Sequence, residues 1–159
     1  MRRIAIFGSL VATLVFAAVA VGAVKHYHGK DTDPACASSI PPPACAITFD
    51  GVVRNHKVVK VRDFVFDEIP MTCDQGDYSI SNSTTPLPGI KVNAKRKFGA
   101  NFVDDQQNPT QYIHVDGKFS TNYKRATGHV RFHGDISPSP PGPTGCDTGL
   151  DSWHARVGP

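Results

Sequence analysis

The stretch Thr110 to Gly134, TQYIHVDGKFSTNYKRATGHVRFHG, constrains the fold more than any other part of the chain. Its apolar residues recur at strand spacing, and glycines or turn-forming polar residues interrupt them at short intervals. It reads as three short strands joined by two turns. Asp116-Gly117 is the strongest hairpin signal in the sequence, because such a pair supplies the positive-φ residues that tight hairpin turns need. A two-residue turn there puts Tyr112, His114, Phe119, Thr121 and Tyr123 on one face. A three-residue loop with a bulge instead aligns Ile113, Val115, Phe119 and Tyr123, and the residues leave that register open. Ala126-Thr127-Gly128 leads into Val130 and Phe132, with His129, Arg131 and His133 on the opposite face.

The remainder of the chain reads as further strands added to this meander. Ala46 to Arg54 places Ile47 and Phe49 on one face, and Asn55-His56-Lys57 turns the chain into the longest strand, Val58 to Phe66. Apolar parity changes there from Val59 and Val61 to Phe64 and Phe66. One extra residue near Arg62-Asp63, a bulge, explains the change. Asp67-Glu68 bends the chain before Ile69, Met71 and Cys73 alternate. Asp77 to Ser81, Ile90 to Arg96 and Lys97 to Val103 are shorter candidates. Ser137 to Gly145, SPSPPGPTG, is excluded from a central strand because proline removes ladder donors. Leu150 to Val157 is the last strand, with Trp153, Ala155 and Val157 on one face. Many short strands between Gly, Pro, Asn and Asp turns predict an all-β fold. The expected form is an antiparallel β-sandwich, jelly-roll-like or Ig-like and disulfide-linked, with Phe49, Phe64, Phe66, Phe119, Phe132 and Trp153 in its core.

The first 23 residues read as a secretory signal peptide that exports the domain. Met1-Arg2-Arg3 precedes an apolar run without charge until Lys25, and Ala18-Val19-Ala20 and Val21-Gly22-Ala23 both fit a small-x-small cleavage site. An uncleaved N-terminal anchor is the competing reading. Residues 24–45 read as a flexible, proline-rich leader, and residues 46–157 as the β-sandwich domain. Arg2 and Arg3 account for two of the 17 basic side chains, so removing residues 1–23 leaves 15 against 14 acidic ones. That balance gives no electrostatic case for nucleic acid. Asn82-Ser83-Thr84 is an N-glycosylation sequon in a eukaryotic secretory pathway.

Four cysteines in an exported chain imply two disulfides and allow three pairings. Cys73-Asp74-Gln75-Gly76 and Cys146-Asp147-Thr148-Gly149 share the pattern C-D-x-G. Asp caps a turn and Gly takes positive φ, so equivalent turns at one end of the domain would meet. Cys73 is therefore paired with Cys146, and Cys36 with Cys45, which closes a small loop. Trp153 is expected beside the Cys73–Cys146 bridge.

Val115-x-Gly117-x-Phe119, Ala126-x-Gly128 and Cys146-Asp147-Thr148-Gly149-x-x-x-Trp153-x-Ala155 together resemble a group of secreted bacterial β-sandwich domains of unknown function that end in a C-x-T/S-G…W-x-A strand. The resemblance spans about residues 46–157. It implies fold and export, and brings no activity with it.

Strings that carry catalysis are missing: there is no G-x-S-x-G, H-E-x-x-H, Walker loop or dinucleotide-binding glycine pattern. His114, His129 and His133 come from neighbouring strands, where imidazoles would suit zinc or copper; solvated histidines are the simpler reading. Asp74, Asp77, Asp147 and Asp151 would converge if Cys73 bonds Cys146, and carboxylates suit calcium; turn capping is the alternative. Asp104-Asp105 reads as a loop tip. Tyr27, Tyr78, Tyr112 and Tyr123 are the tyrosines from which a carbohydrate platform would have to be built. The chain is therefore expected to be a non-catalytic, secreted or surface-tethered binding or structural module with no cofactor, meeting an extracellular ligand or cell-surface component. It would touch membrane only through its N-terminal segment, if that segment is uncleaved. The second expectation is an extracellular metal-binding protein, or metal-dependent enzyme, using a histidine-lined sheet face.

Overall fold

The computed structural model describes residues 22–34, 36, 45–82, 89–104, 111–136 and 142–158. The leader up to residue 21, the Pro41-Pro42-Pro43 loop, Ser83 and Thr84 of the sequon, Asp105 and residues 137–141 lie outside the described residues. The strands are β1 (Ala23–Asp31), β2 (Ala46–Arg54), β3 (Lys57–Cys73), β4 (Gly76–Asn82) and β5 (Ile90–Lys91), followed by β6 (Lys97–Asp104), β7 (Gln111–Phe119), β8 (Arg125–Gly134), β9 (Cys146–Asp147) and β10 (Asp151–Val157).

The expected all-β, disulfide-linked architecture is present, but its strands form one continuous ladder that closes on itself. β10 pairs with both β1 and β8, so the order β1-β2-β3-β9-β8-β10 makes a six-strand ring. All of its pairings are antiparallel. β7 and β6 extend from the other edge of β8, and β4 and β5 lie along β3. The sandwich expectation assumed that β10 would end one of two sheets. Its side chains alternate inward and outward from Asp151 to Ala155, and both of its edges carry ladders, so it closes a barrel.

β2 and β3 show how local chemistry sets this geometry. Asn55 and His56 both have positive φ, 49° and 62°, as a two-residue hairpin turn requires. Across the pair, the register jumps between Thr48↔Val65 and Asp50↔Arg62. Asp63, at φ 52°, is the bulged residue, and it turns both Val61 and Phe64 inward. The parity change in the sequence therefore has a bulge as its cause.

Two expectations need correction. Residues 24–45 are not a uniformly flexible leader: Ala23–Asp31 is an eight-pair neighbour of β2. Tyr27 carries that strand. It is fully buried, stacks on Phe49 with ring centroids 4.6 Å apart, and donates its hydroxyl hydrogen to the Tyr123 carbonyl at 2.7 Å. The inward positions around it are Lys25, Gly29 and Asp31. With one apolar side chain in the series, the strand had no apolar period to read.

The second correction concerns Asp116-Gly117. These residues lie inside β7, opposite His129 and Gly128, and the meander is two strands with one connection. The turn falls at Ser120–Lys124, where the Asn122 carboxamide oxygen accepts from the Lys124 amide and the Ser120 hydroxyl, and Tyr123 takes φ 54°. Gly117 serves a different purpose. A Cβ on it would stand 2.4 Å from Phe98 and 2.9 Å from the Trp153 indole, and one on Gly128 would stand 1.9 Å from the Asp116 carbonyl oxygen. The facing glycines let β7, β8 and the indole edge approach closely.

Inside the ring, Tyr27, Phe49, Phe64, Phe98, Phe119 and Trp153 form one aromatic core with centroids 4.6–6.2 Å apart. A smaller cluster of Met71, Cys73, Phe132 and Cys146 surrounds the Cys73–Cys146 bridge. Trp153 belongs to the first cluster, so it is buried but does not sit beside the bridge. The second bridge joins Cys36 to Cys45.

Candidate functional site on the outer face of the barrel

Alternation fixes which side chains face out. On β8 the inward set is Ala126, Val130 and Phe132, which turns Arg125, Thr127, His129, Arg131 and His133 outward. β7 presents Tyr112, His114, Asp116 and Lys118, β10 presents Ser152, His154 and Arg156, and β1 presents His28 and Lys30. The result is a polar surface across β7, β8, β10 and β1, rich in cations and imidazoles.

His114 and His129 meet at a carboxylate rather than at each other. The Asp116 carboxylate lies 3.2 Å from His114 Nε2 and 3.1 Å from His129 Nδ1, and it also accepts from the His129 backbone amide. Asn101 Oδ1 holds the other nitrogen of His114 at 2.6 Å. His133 is separate: its Nδ1 is 3.6 Å from Asp147, and its ring stacks near Tyr112. Among the described residues no group of three or more His, Cys, Asp or Glu side chains is placed to hold a metal ion.

The carboxylates considered for calcium are dispersed among different partners. Asp74 accepts from the Thr144 hydroxyl, and Asp77 from the Thr72 hydroxyl. Asp147 takes a two-pronged hydrogen bond from Arg131, which holds its pKa below the usual carboxylate range. Asp151 is buried instead. Burial, with Asp31, Asp33 and Asp147 nearby, pushes its pKa up to about 7, and its protonated form hydrogen-bonds to Asp33. Asp31 is also raised by burial. Asp31 Oδ2, Asp151 Oδ2 and Trp153 Nε1 are buried and have no hydrogen-bond partner among the described residues.

Among the described residues, two open grooves cross the outer face. One, of about 780 Å³, is lined by His28, Lys30, Arg125, Thr127, His154 and Arg156 over a floor of Gly29, Ala126 and Ala155. The other, of about 660 Å³, lies over the Gly117–Gly128 pair, where edges of Phe98 and Trp153 form its floor and Asp116, Lys118, His129 and His154 its walls. They share Thr127 and His154. Sequence reading found His114 and His129 but missed Arg125, His154, Arg156 and the whole of β1. The outward alternation of the last strand was the available signal. The exposed tyrosines, Tyr78 on β4 and Tyr112 on β7, stand on different strands, and Tyr27 is in the core, so the tyrosines form no shared platform.

No family model, no curated protein and no solved structure matches this chain.

Proposed function

We propose that the chain is a non-catalytic, exported binding module that meets an extracellular or cell-surface ligand with the outer face of β8, β10 and β1. The observation that carries this reading is the meeting of two open grooves at Thr127 and His154, outside a ring whose interior is filled by aromatic side chains. Ligand clefts are concave, and a few placed polar side chains fix the orientation of what they hold. The two disulfides fit an oxidising compartment. Photo-crosslinking tests the reading: a crosslinker installed at Thr127 should capture ligand from cell-surface extracts, and one at Tyr78 should not. Capture at Tyr78 alone would place the binding surface elsewhere and overturn it.

A further inference from the structure

We infer that the groove across β8, β10 and β1 is an anion site for an acidic polysaccharide, one carrying sulfate or carboxylate groups along a hydroxyl-rich chain. The inference rests on the binding-module reading and names its ligand class. Arg125 on β8 and Arg156 on β10 are direct cross-strand partners, and His28 on β1 is the partner of Arg156 on the other side. Two residues along, Thr127, His154 and Lys30 form a parallel row. Like charges placed directly opposite each other destabilise a sheet. Here no carboxylate relieves them: Lys30, Arg125 and Arg156 form no ion pair among the described residues, and although the facing pairs Lys60–Lys91, Lys97–Lys118 and Arg54–Lys57 are unpaired too, Arg125 and Arg156 are the facing pair that lines the groove shared with Lys30. Nor does any acidic side chain line the groove. A face that keeps an uncompensated arginine pair over an open groove is complementary to a bound anion.

The other side chains narrow the class. No Phe, Tyr or Trp ring lines this groove, and single-stranded nucleic acid is held largely by stacking its bases on such rings. A duplex needs a broad basic footprint. This array is instead bounded by carboxylates, Asp50 beside His26 on β2 and Asp116 beside His129 on β7. No large apolar side chain lines the groove to enter a bilayer. What the groove does offer, beside its cations, is further hydrogen-bonding capacity from the Thr127 hydroxyl and the ring nitrogens of His28 and His154. That mixture matches a ligand with anionic groups spaced among hydroxyls. Strand spacing of about 4.8 Å and a two-residue rise of about 7 Å set the array at the scale of a few sugar units.

Titration of the disulfide-intact protein with a heparin hexasaccharide, followed by amide chemical shifts and calorimetry, tests this. A neutral dextran oligosaccharide and a thymidine oligonucleotide serve as the competing probes. Heparin should perturb Arg125, Thr127, His154 and Arg156, bind at least ten-fold more weakly at 300 mM than at 50 mM salt, and lose at least ten-fold in affinity in R125Q/R156Q. An R54Q/K57Q variant, altered at the β2–β3 hairpin, should bind as the parent does. Because the glutamines relieve a like-charge pair, the double variant should melt no lower than the parent, so weaker binding would not reflect unfolding. Equal heparin affinity in R125Q/R156Q, or an oligonucleotide bound as tightly as heparin, overturns the acidic-glycan inference. Dextran that perturbs the same face with R125Q/R156Q unaffected overturns the anion site but keeps the binding-module reading. Perturbations from every probe confined to β3 and β4 overturn both.

Discussion

The barrel is closed along two seams, and they are built from different materials. At the first, β10 is laced into the ring by six residue pairs to β8 and five to β1, and it drives Trp153 and Ala155 into the aromatic core. At the second, β9 contributes two residues, one paired with Thr72 of β3 and two with β8, and the Cys73–Cys146 bond stands beside that single pair. A full ladder pays its ordering entropy with many hydrogen bonds and buried area. A two-residue strand fed by a proline-rich segment has neither, so a covalent link does the holding by constraining the unfolded chain. One ring thus has a seam held by packing and a seam held by a covalent bond.

The largest expected effect lies at the packed seam. Trp153→Ala should cost about 3–5 kcal/mol, because it removes the ring that touches Phe49, Phe64 and Phe98 and leaves a cavity between them. Denaturant unfolding at constant slope measures it. A cost no greater than that of losing the Cys73–Cys146 bond would show that the two seams do not differ in this way.

Next in size is the stapled seam. Replacing Cys73 and Cys146 together by serine should cost about 2–4 kcal/mol. Under native conditions the Trp153 emission should stay blue, since the indole is 1% exposed in the other cluster. The sharper readout is hydrogen exchange, with protection lost at Cys146 and Thr72 before Trp153. A red-shifted emission in the folded double variant would mean that the seams open together.

How much of this was legible follows from where side chains announce themselves. β2 and the bulge of β3 could be read because Ile47, Phe49, Val61, Phe64 and Phe66 alternate and then shift parity, a direct imprint of the pleat. The six aromatic residues expected in the core are there for the same reason. The paired C-D-x-G turns pointed to the long bridge. β1 was hidden because Tyr27 is its only apolar inward side chain of any size, the neighbouring inward positions being Lys25, Gly29 and Asp31. Asp116-Gly117 misled because a glycine needed for close approach carries the same letter as one needed for a turn. Ring closure was out of reach, since nothing in Asp151–Val157 says that both its edges are paired. Of the outer-face site, the histidines could be seen, whereas the Arg125–Arg156 pair depends on a β8–β10 register that only the closed ring creates.

The packed seam also carries the two buried carboxylates, so pH should distinguish the seams more gently. Asp151 has a folded-state pKa of about 7, raised above its ordinary value by burial and by Asp31, Asp33 and Asp147. A raised carboxyl pKa favours the folded state while the group stays protonated, and that contribution is lost as pH rises through the folded pKa. The parent protein should therefore melt higher at pH 5.5 than at pH 8.5. Asp151→Asn, which cannot ionise, should flatten most of that slope. The Cys73/Cys146 serine variant should keep the full slope from its lower starting point, because no ionisable group of the packed seam has changed. A slope unaltered by Asp151→Asn would place the titration elsewhere.

The smallest effect tests how β1 is fastened to the packed seam. Tyr27 lies on the strand that flanks β10, opposite Val157 in register, and its hydroxyl donates to the carbonyl of Tyr123 in the turn between β7 and β8. That bond ties the N-terminal strand to the turn at the far end of the core, across 96 residues of sequence. Burial in the apolar core raises the phenol pKa above its ordinary value, so the hydroxyl is a neutral donor at neutral pH. Tyr27→Phe preserves the stacking on Phe49 and the tilted contact with Phe119, and deletes only the hydroxyl. The loss should be about 1 kcal/mol, the usual net worth of one hydrogen bond, with the denaturant slope unchanged. Hydrogen exchange should quicken at Tyr123 and its neighbours in the turn while Trp153 and Val130 stay protected. If exchange quickens instead along the whole of β10, the Tyr27 hydroxyl helps hold the seam itself, and the seam depends on more than its ladder and its aromatic core.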